Sequence, residues 1–101
     1  MKTLALEFAE DVLWRKENGK RWCWGRFESE GPQGFDYELD SGYDEGPKHW
    51  TVRIDSIQIH DESGDVRGWY SQKELAAFII DANEELNKIG LDYEIHVSNG
   101  E

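Results

Sequence analysis

The chain has 101 residues, of which 38% are hydrophobic and 13% aromatic, with 22 acidic groups against 11 lysines and arginines. That length suits one compact domain, read here as 1–101, and the aromatic content excludes an intrinsically disordered chain. A net charge of −11 disfavours unaided binding to nucleic acid or anionic lipid and favours a basic protein partner. The single cysteine, Cys23, excludes an internal disulfide framework. With no signal-peptide apolar region and no long apolar run, the expectation is a soluble cytoplasmic protein without a membrane span.

Residues 3–16 fit two patterns. Leu4, Leu6, Phe8, Val12 and Trp14 all stand on even positions, as in a strand, while Leu4, Ala5, Phe8, Ala9, Val12 and Leu13 also share one helical face. Asn18-Gly19 is a type I′ hairpin signal that would pair Glu17 with Lys20 and Asp11 with Arg26, although the same dipeptide can stop a helix. The hairpin is the favoured reading. Its second arm, Arg21 to Glu28, carries Trp22, Trp24 and Phe27.

Gly31-Pro32-Gln33-Gly34 reads as a turn, and Phe35, Tyr37 and Leu39 then alternate with Asp36, Glu38 and Asp40 as a half-buried strand. Ser41 to Lys48 reads as a polar loop. From His49 to His60 runs a long strand whose apolar residues change parity, Trp50, Val52 and Ile54 being even and Ile57 and Ile59 odd. Such a change predicts a β-bulge near Asp55-Ser56. Asp61 to Asp65 is a tight turn, and Val66 to Trp69 returns as a short strand.

The clearest element comes last. Ser71 and Glu74 form a capping box, with Tyr70 and Leu75 at the positions of a hydrophobic staple. Leu75, Ile79, Ala82, Leu86 and Ile89 trace the stripe of an amphipathic helix over about 72–89, which Gly90 ends with Leu91 folding back on Leu86. Leu91, Tyr93, Ile95 and Val97 alternate with polar residues as a C-terminal strand. The expected fold is α+β: a single antiparallel meander sheet of about five to six strands with one helix packed on one face.

Residues 28–65 hold eleven carboxylates against Lys48 and Arg53, a net −9 that accounts for most of the excess charge. Asp36, Glu38 and Asp40 on one strand face would stand about 7 Å apart, an interval similar to the phosphate repeat of a nucleic-acid strand. Asp36, Glu38, Asp40, Asp44, Glu45, Asp61, Glu62 and Asp65 are therefore the candidate contact residues for a basic partner, weighed against an ordinary solvating surface. Trp14, Arg15, Arg21 and Trp22, grouped near the hairpin tip, form a secondary candidate contact of the kind enriched at protein interfaces. Direct nucleic-acid binding by that tip is disfavoured by the acidity of the rest.

Metal and catalytic motifs are lacking. The turn Asp61-Glu62-Ser63-Gly64-Asp65 is short of a twelve-residue calcium loop, and His49, His60, His96 and Cys23 have no zinc spacing. No phosphate loop, nucleophile elbow or HExxH helix is present. The reading is a non-enzymatic, cofactor-free inhibitor that neutralises a basic enzyme, as a toxin-immunity protein or a phage-encoded anti-defence protein mimicking nucleic acid would. The competing class is a carbohydrate or small-ligand module built on exposed tryptophans.

Overall fold

The computed structural model describes residues 2–18, 22–40, 50–91 and 93–97, with the side chains of Trp22, Cys23, Asp40 and Trp50 excepted. The elements in chain order are α1 (Leu4–Glu17), β1 (Trp22–Glu28), β2 (Gln33–Asp40), β3 (Trp50–Ile54), β4 (Gln58–His60), β5 (Val66–Trp69), α2 (Gln72–Lys88) and β6 (Tyr93–Val97). Gly19 of the expected Asn18-Gly19 turn and the loop Ser41 to Lys48 lie outside the described residues, as does His49.

The first segment is a helix, which overturns the N-terminal hairpin. Thr3 caps it, its Oγ1 accepting from Leu6 N at 3.1 Å. Glu7 in the first turn and Arg15 and Lys16 in the last complement the helix dipole. Asn18 closes it, with its backbone N–H and its Nδ2 both donating to Trp14 O. Ala5, Phe8, Ala9 and Val12 are buried together, so the helical stripe prevailed over the even-position alternation. Glu17–Lys20 and Asp11–Arg26 are consequently not cross-strand pairs; Asp11 instead bridges Arg15, one helical turn on, at 3.3 Å.

The sheet is mixed rather than an antiparallel meander. β2 lies at its centre, antiparallel to β1 on one side and to β3 and β4 in succession on the other. β5 pairs antiparallel with β4, while β6 pairs parallel with β3, and α2 connects the two. The expected bulge is present in the register. Tyr37 faces Ile54 and Gly34 faces Gln58, so three residues of one strand, Asp55 to Ile57, oppose two of the other. Asp55 N still donates to Asp36 O at 3.2 Å across this step. Val52, Ile54 and Ile57 are all fully buried, so the extra residue keeps the apolar side chains on the core side as parity changes.

α2 follows its signals closely. Ser71 Oγ accepts from Glu74 N at 3.1 Å, and Glu74 Oε1 accepts from Ser71 N at 2.8 Å. At the other end Gly90, with φ +83°, sits in a Schellman motif in which Leu91 N donates to Leu86 O at 2.9 Å and Gly90 N to Asn87 O at 3.0 Å. The stripe differs from expectation at two places: Phe78 is buried in it, whereas Ile89 is 37% exposed.

Both helices pack on one face of the sheet. Their shared core is aromatic, centred on Phe8 of α1. Its ring lies 5.0 Å from Tyr37, 5.4 Å from Phe35, 5.7 Å from Phe78 and 5.9 Å from Phe27, mostly edge-on. The opposite face of the sheet has no helix over it among the described residues.

Candidate functional site

The helix-free face of the sheet carries Asp36 and Glu38 of the charged residues that the sequence singles out. Residues opposed across a ladder share a face, so the register places Trp24, Glu38, Arg53 and His96 in one transverse row. Glu28, Gly34, Gln58 and Trp69 form another. Between them Arg26 stands opposite Asp36. Trp24 is 49% and Trp69 58% exposed, one near each side of the sheet.

Arg26 organises the middle of this face. It reaches Glu28 Oε2 at 3.3 Å and Asp36 Oδ1 at 3.6 Å, donates to Gln58 Oε1 at 2.7 Å, and lies 3.3 Å from His60 Nε2. Gly34 makes this possible: a Cβ there would stand 2.9 Å from Arg26 Nη2 and 3.3 Å from Phe27 O. Arg53 meets Glu38 at 3.3 Å, and His96 meets Glu94 at 3.3 Å. The carboxylates of Asp36 and Glu38 are thus on the solvent face, as the alternation of β2 requires, but each has an arginine beside it. One guanidinium shared by Glu28 and Asp36 leaves the surface short of positive charge.

The other predicted contact residues are dispersed. Asp61, Glu62 and Asp65 occupy the β4–β5 turn, beside the β1–β2 turn through His60 N donating to Pro32 O at 2.8 Å. Asp61 is fully engaged in holding that turn. It accepts from Ser63 N and Asp65 N and binds Arg67 Nε at 2.8 Å, and those backbone bonds, chiefly that from Asp65, pull its carboxyl below the usual range. Glu62 and Asp65 are exposed, and a hollow of ≈ 530 Å³ lies between this turn and Pro32. Asp44, Glu45 and Arg21 lie outside the described residues, as do the side chains of Asp40 and Trp22, whose backbones face one another across β1 and β2.

Trp14 and Arg15 belong to α1 rather than to a hairpin tip, and they part company. Trp14 is 56% exposed, whereas Arg15 is 9% exposed and points into the protein. Its guanidinium carbon lies 4.2 Å over the Tyr37 ring, and its donors reach Asp11 Oδ2 and Arg26 O, both at 3.3 Å. Tyr37 Oη closes the set by donating to Asp11 Oδ2 at 2.6 Å. A Cβ on Gly25 would come within 2.9 Å of Arg15 Nη2, so that glycine supplies the slot.

Arg26, Arg53, Trp24 and Trp69 were missed as site residues. For Trp24 and Arg26 the signal was available, since both are out of phase with Phe27. Trp69 needed the register of β5 on β4, which shifts between Ile59 and His60 and leaves no mark in the residue pattern.

No cluster of three or more metal-ligating side chains exists among the described residues, and no described helix is long and apolar enough to cross a membrane. Burial pushes the Tyr93 phenol above its ordinary range, so it is no base near neutrality. Among the described residues the exposed tryptophans are Trp14, Trp24 and Trp69, which stand on α1, β1 and β5. Comparison with protein-family models, curated proteins and solved structures gives no match for this chain.

Proposed function

We propose that this chain is a small inhibitor that binds and neutralises a basic enzyme, in the manner of a toxin-immunity protein or a phage anti-defence protein that imitates nucleic acid. What carries the reading is the helix-free sheet face, which holds Glu28, Asp36, Glu38 and Glu94 together with exposed Trp24 and Trp69. Carboxylates in excess of arginines attract a positive surface and raise its encounter rate. Tryptophan and arginine beside them supply the rigid, amphipathic contacts that dominate protein interfaces. The Arg26 and Arg53 pairs fix the carboxylates in place, so little side-chain entropy remains to be lost on docking.

The test is affinity capture from native host extract at low and high salt, followed by association kinetics with the captured protein. Replacing Asp36 and Glu38 together by lysine should lower the on-rate by about tenfold or more at low salt. At about 1 M salt, where the Debye length is near 3 Å, most of that difference should vanish. A folded double variant that associates at the wild-type rate at every ionic strength rules the reading out.

A further inference from the structure

Among the described residues β1 pairs only with β2, which makes it an edge strand. Ser29 N donates to Gln33 O at 3.0 Å. Bonded and non-bonded pairs alternate along an antiparallel ladder, so Phe27 and Gly25 bond to β2 while Glu28, Arg26 and Trp24 turn their backbone groups away from it. Two observed bonds agree. Asp36 O, opposite Arg26, is taken by Asp55 on the far side of β2, and Arg26 O is taken by Arg15 Nη2 from α1. Among the described residues no strand pairs with this edge, which is neither short nor broken by proline or lysine.

The helix above that edge states what kind of strand would fit. Arg15 reaches the edge itself, Asp11 and Glu7 lie one and two helical turns before it, and Glu7 Oε1 accepts from Glu30 N just beyond the end of β1 at 2.7 Å. α1 therefore runs lengthwise along β1. Outward of this row come Glu10, Trp14 and Glu17, all exposed, with Lys2 on Glu10 the counter-charge there. A strand added to β1 would direct alternate side chains towards this flank, where lysine or arginine meets carboxylates and the face of an indole. A second copy of the chain would bring another −11 charges to the same place.

We propose that the edge of β1, on either side of the Arg26 carbonyl that Arg15 holds, accepts an extended strand of a basic partner, with inward-facing cationic side chains lying against the acidic, tryptophan-bearing flank of α1. This deepens the inhibitor reading and rests on the partner being basic, but it concerns the edge of the sheet rather than its open face. Backbone bonding supplies affinity, and the α1 flank supplies selectivity for charge.

The probe is a short peptide of alternating lysine and valine, with a glutamate-valine peptide as its control. At saturation the lysine peptide should slow amide exchange at Trp24 and Glu28 and shift the Trp14 indole resonance. Trp24→Pro removes an edge N–H that β2 does not use, and Trp24→Ala removes only the side chain. The proline variant should bind at least about tenfold more weakly than the alanine variant, and Glu28→Pro repeats the test at the other end of the edge. Equal binding by the proline and alanine variants, or no new amide protection, overturns the proposal. Equal binding of the glutamate peptide overturns the cationic strand, and a dimer of the chain that Trp24→Pro dissociates assigns the edge to a second copy instead. If Asp36 and Glu38 replaced by lysine leave peptide binding intact while the captured partner ignores that change but is lost with Trp24→Pro, the open-face reading falls and the edge proposal stands.

Discussion

Burying an arginine costs several kcal/mol unless its donors find partners, and Arg15 finds them on three elements at once: Asp11 of α1, Arg26 O of β1 and the Tyr37 ring of β2. Its place inside the protein, rather than on an exposed tip, follows directly from residues 4–17 being helical. Arg15→Met should cost about 1–3 kcal/mol in a urea titration. A loss below about 0.5 kcal/mol, the range of neutral surface changes, would mean that these bonds add nothing net. Asp61 gives the pH counterpart. Its folded pKa lies below the ordinary aspartate value near 3.9, so its contribution is complete above that value and is lost as pH falls through the lower, folded one. Amide exchange at Ser63 and Asp65 should therefore stay slow through pH 4 and accelerate only in stronger acid. Acceleration beginning above pH 5 would contradict this assignment.

Elements differ in how much of themselves they write into local sequence. α2 could be bounded at both ends because its signals are contiguous: a capping box at Ser71 and Glu74, a stripe at helical spacing, and a glycine just past its end where φ is positive. Ser71→Ala should destabilise the protein by about 0.5–2 kcal/mol, and faster amide exchange at Glu74 should accompany the loss. α1 was not legible in the same way, because its apolar residues satisfy both periods and Asn18-Gly19 serves both a hairpin and a helix end. What decided it was burial of Ala5, Ala9 and Val12 against the sheet, a tertiary fact that no local window contains. The bulge at Asp55 to Ile57 was legible from parity alone. The site was legible only where it depends on alternation, as at Asp36 and Glu38. Their arginine partners come from β1 and β3, so knowing them requires the register.

On the scale of the molecule, the parallel pairing of β3 with β6 is the main departure from expectation. The sequence places α2 between β5 and β6 but does not say on which strand β6 lands. Returning beside β3 covers the aromatic core with both helices and leaves the opposite face without a helix among the described residues, which is the arrangement the inhibitor reading uses. The core depends on one ring shared by four others. Phe8→Ala should cost about 3–5 kcal/mol and should loosen α1 and α2 together, since Phe8 meets Phe78 of α2 as well as the sheet. Calorimetry would show a single transition at lower temperature. Two separated transitions would mean that the helices are held independently.

The extra residue between β3 and β4 is the whole difference between this ladder and a regular one. Dropping Ser56 would restore even parity along the whole of residues 50–59. With β3 in register, Ile57 would then stand opposite Phe35 and Ile59 opposite Gln33, both on the core side, and the bulge would close. Gln58 would stay opposite Gly34, on the same face as Arg26. A single deletion here should therefore leave the chain folded, with one cooperative thermal transition, and an unfolded deletion variant would mean that the bulge does more than correct parity. One added glycine at Gly64, in the β4–β5 turn, should likewise be tolerated with a change within about 0.5 kcal/mol.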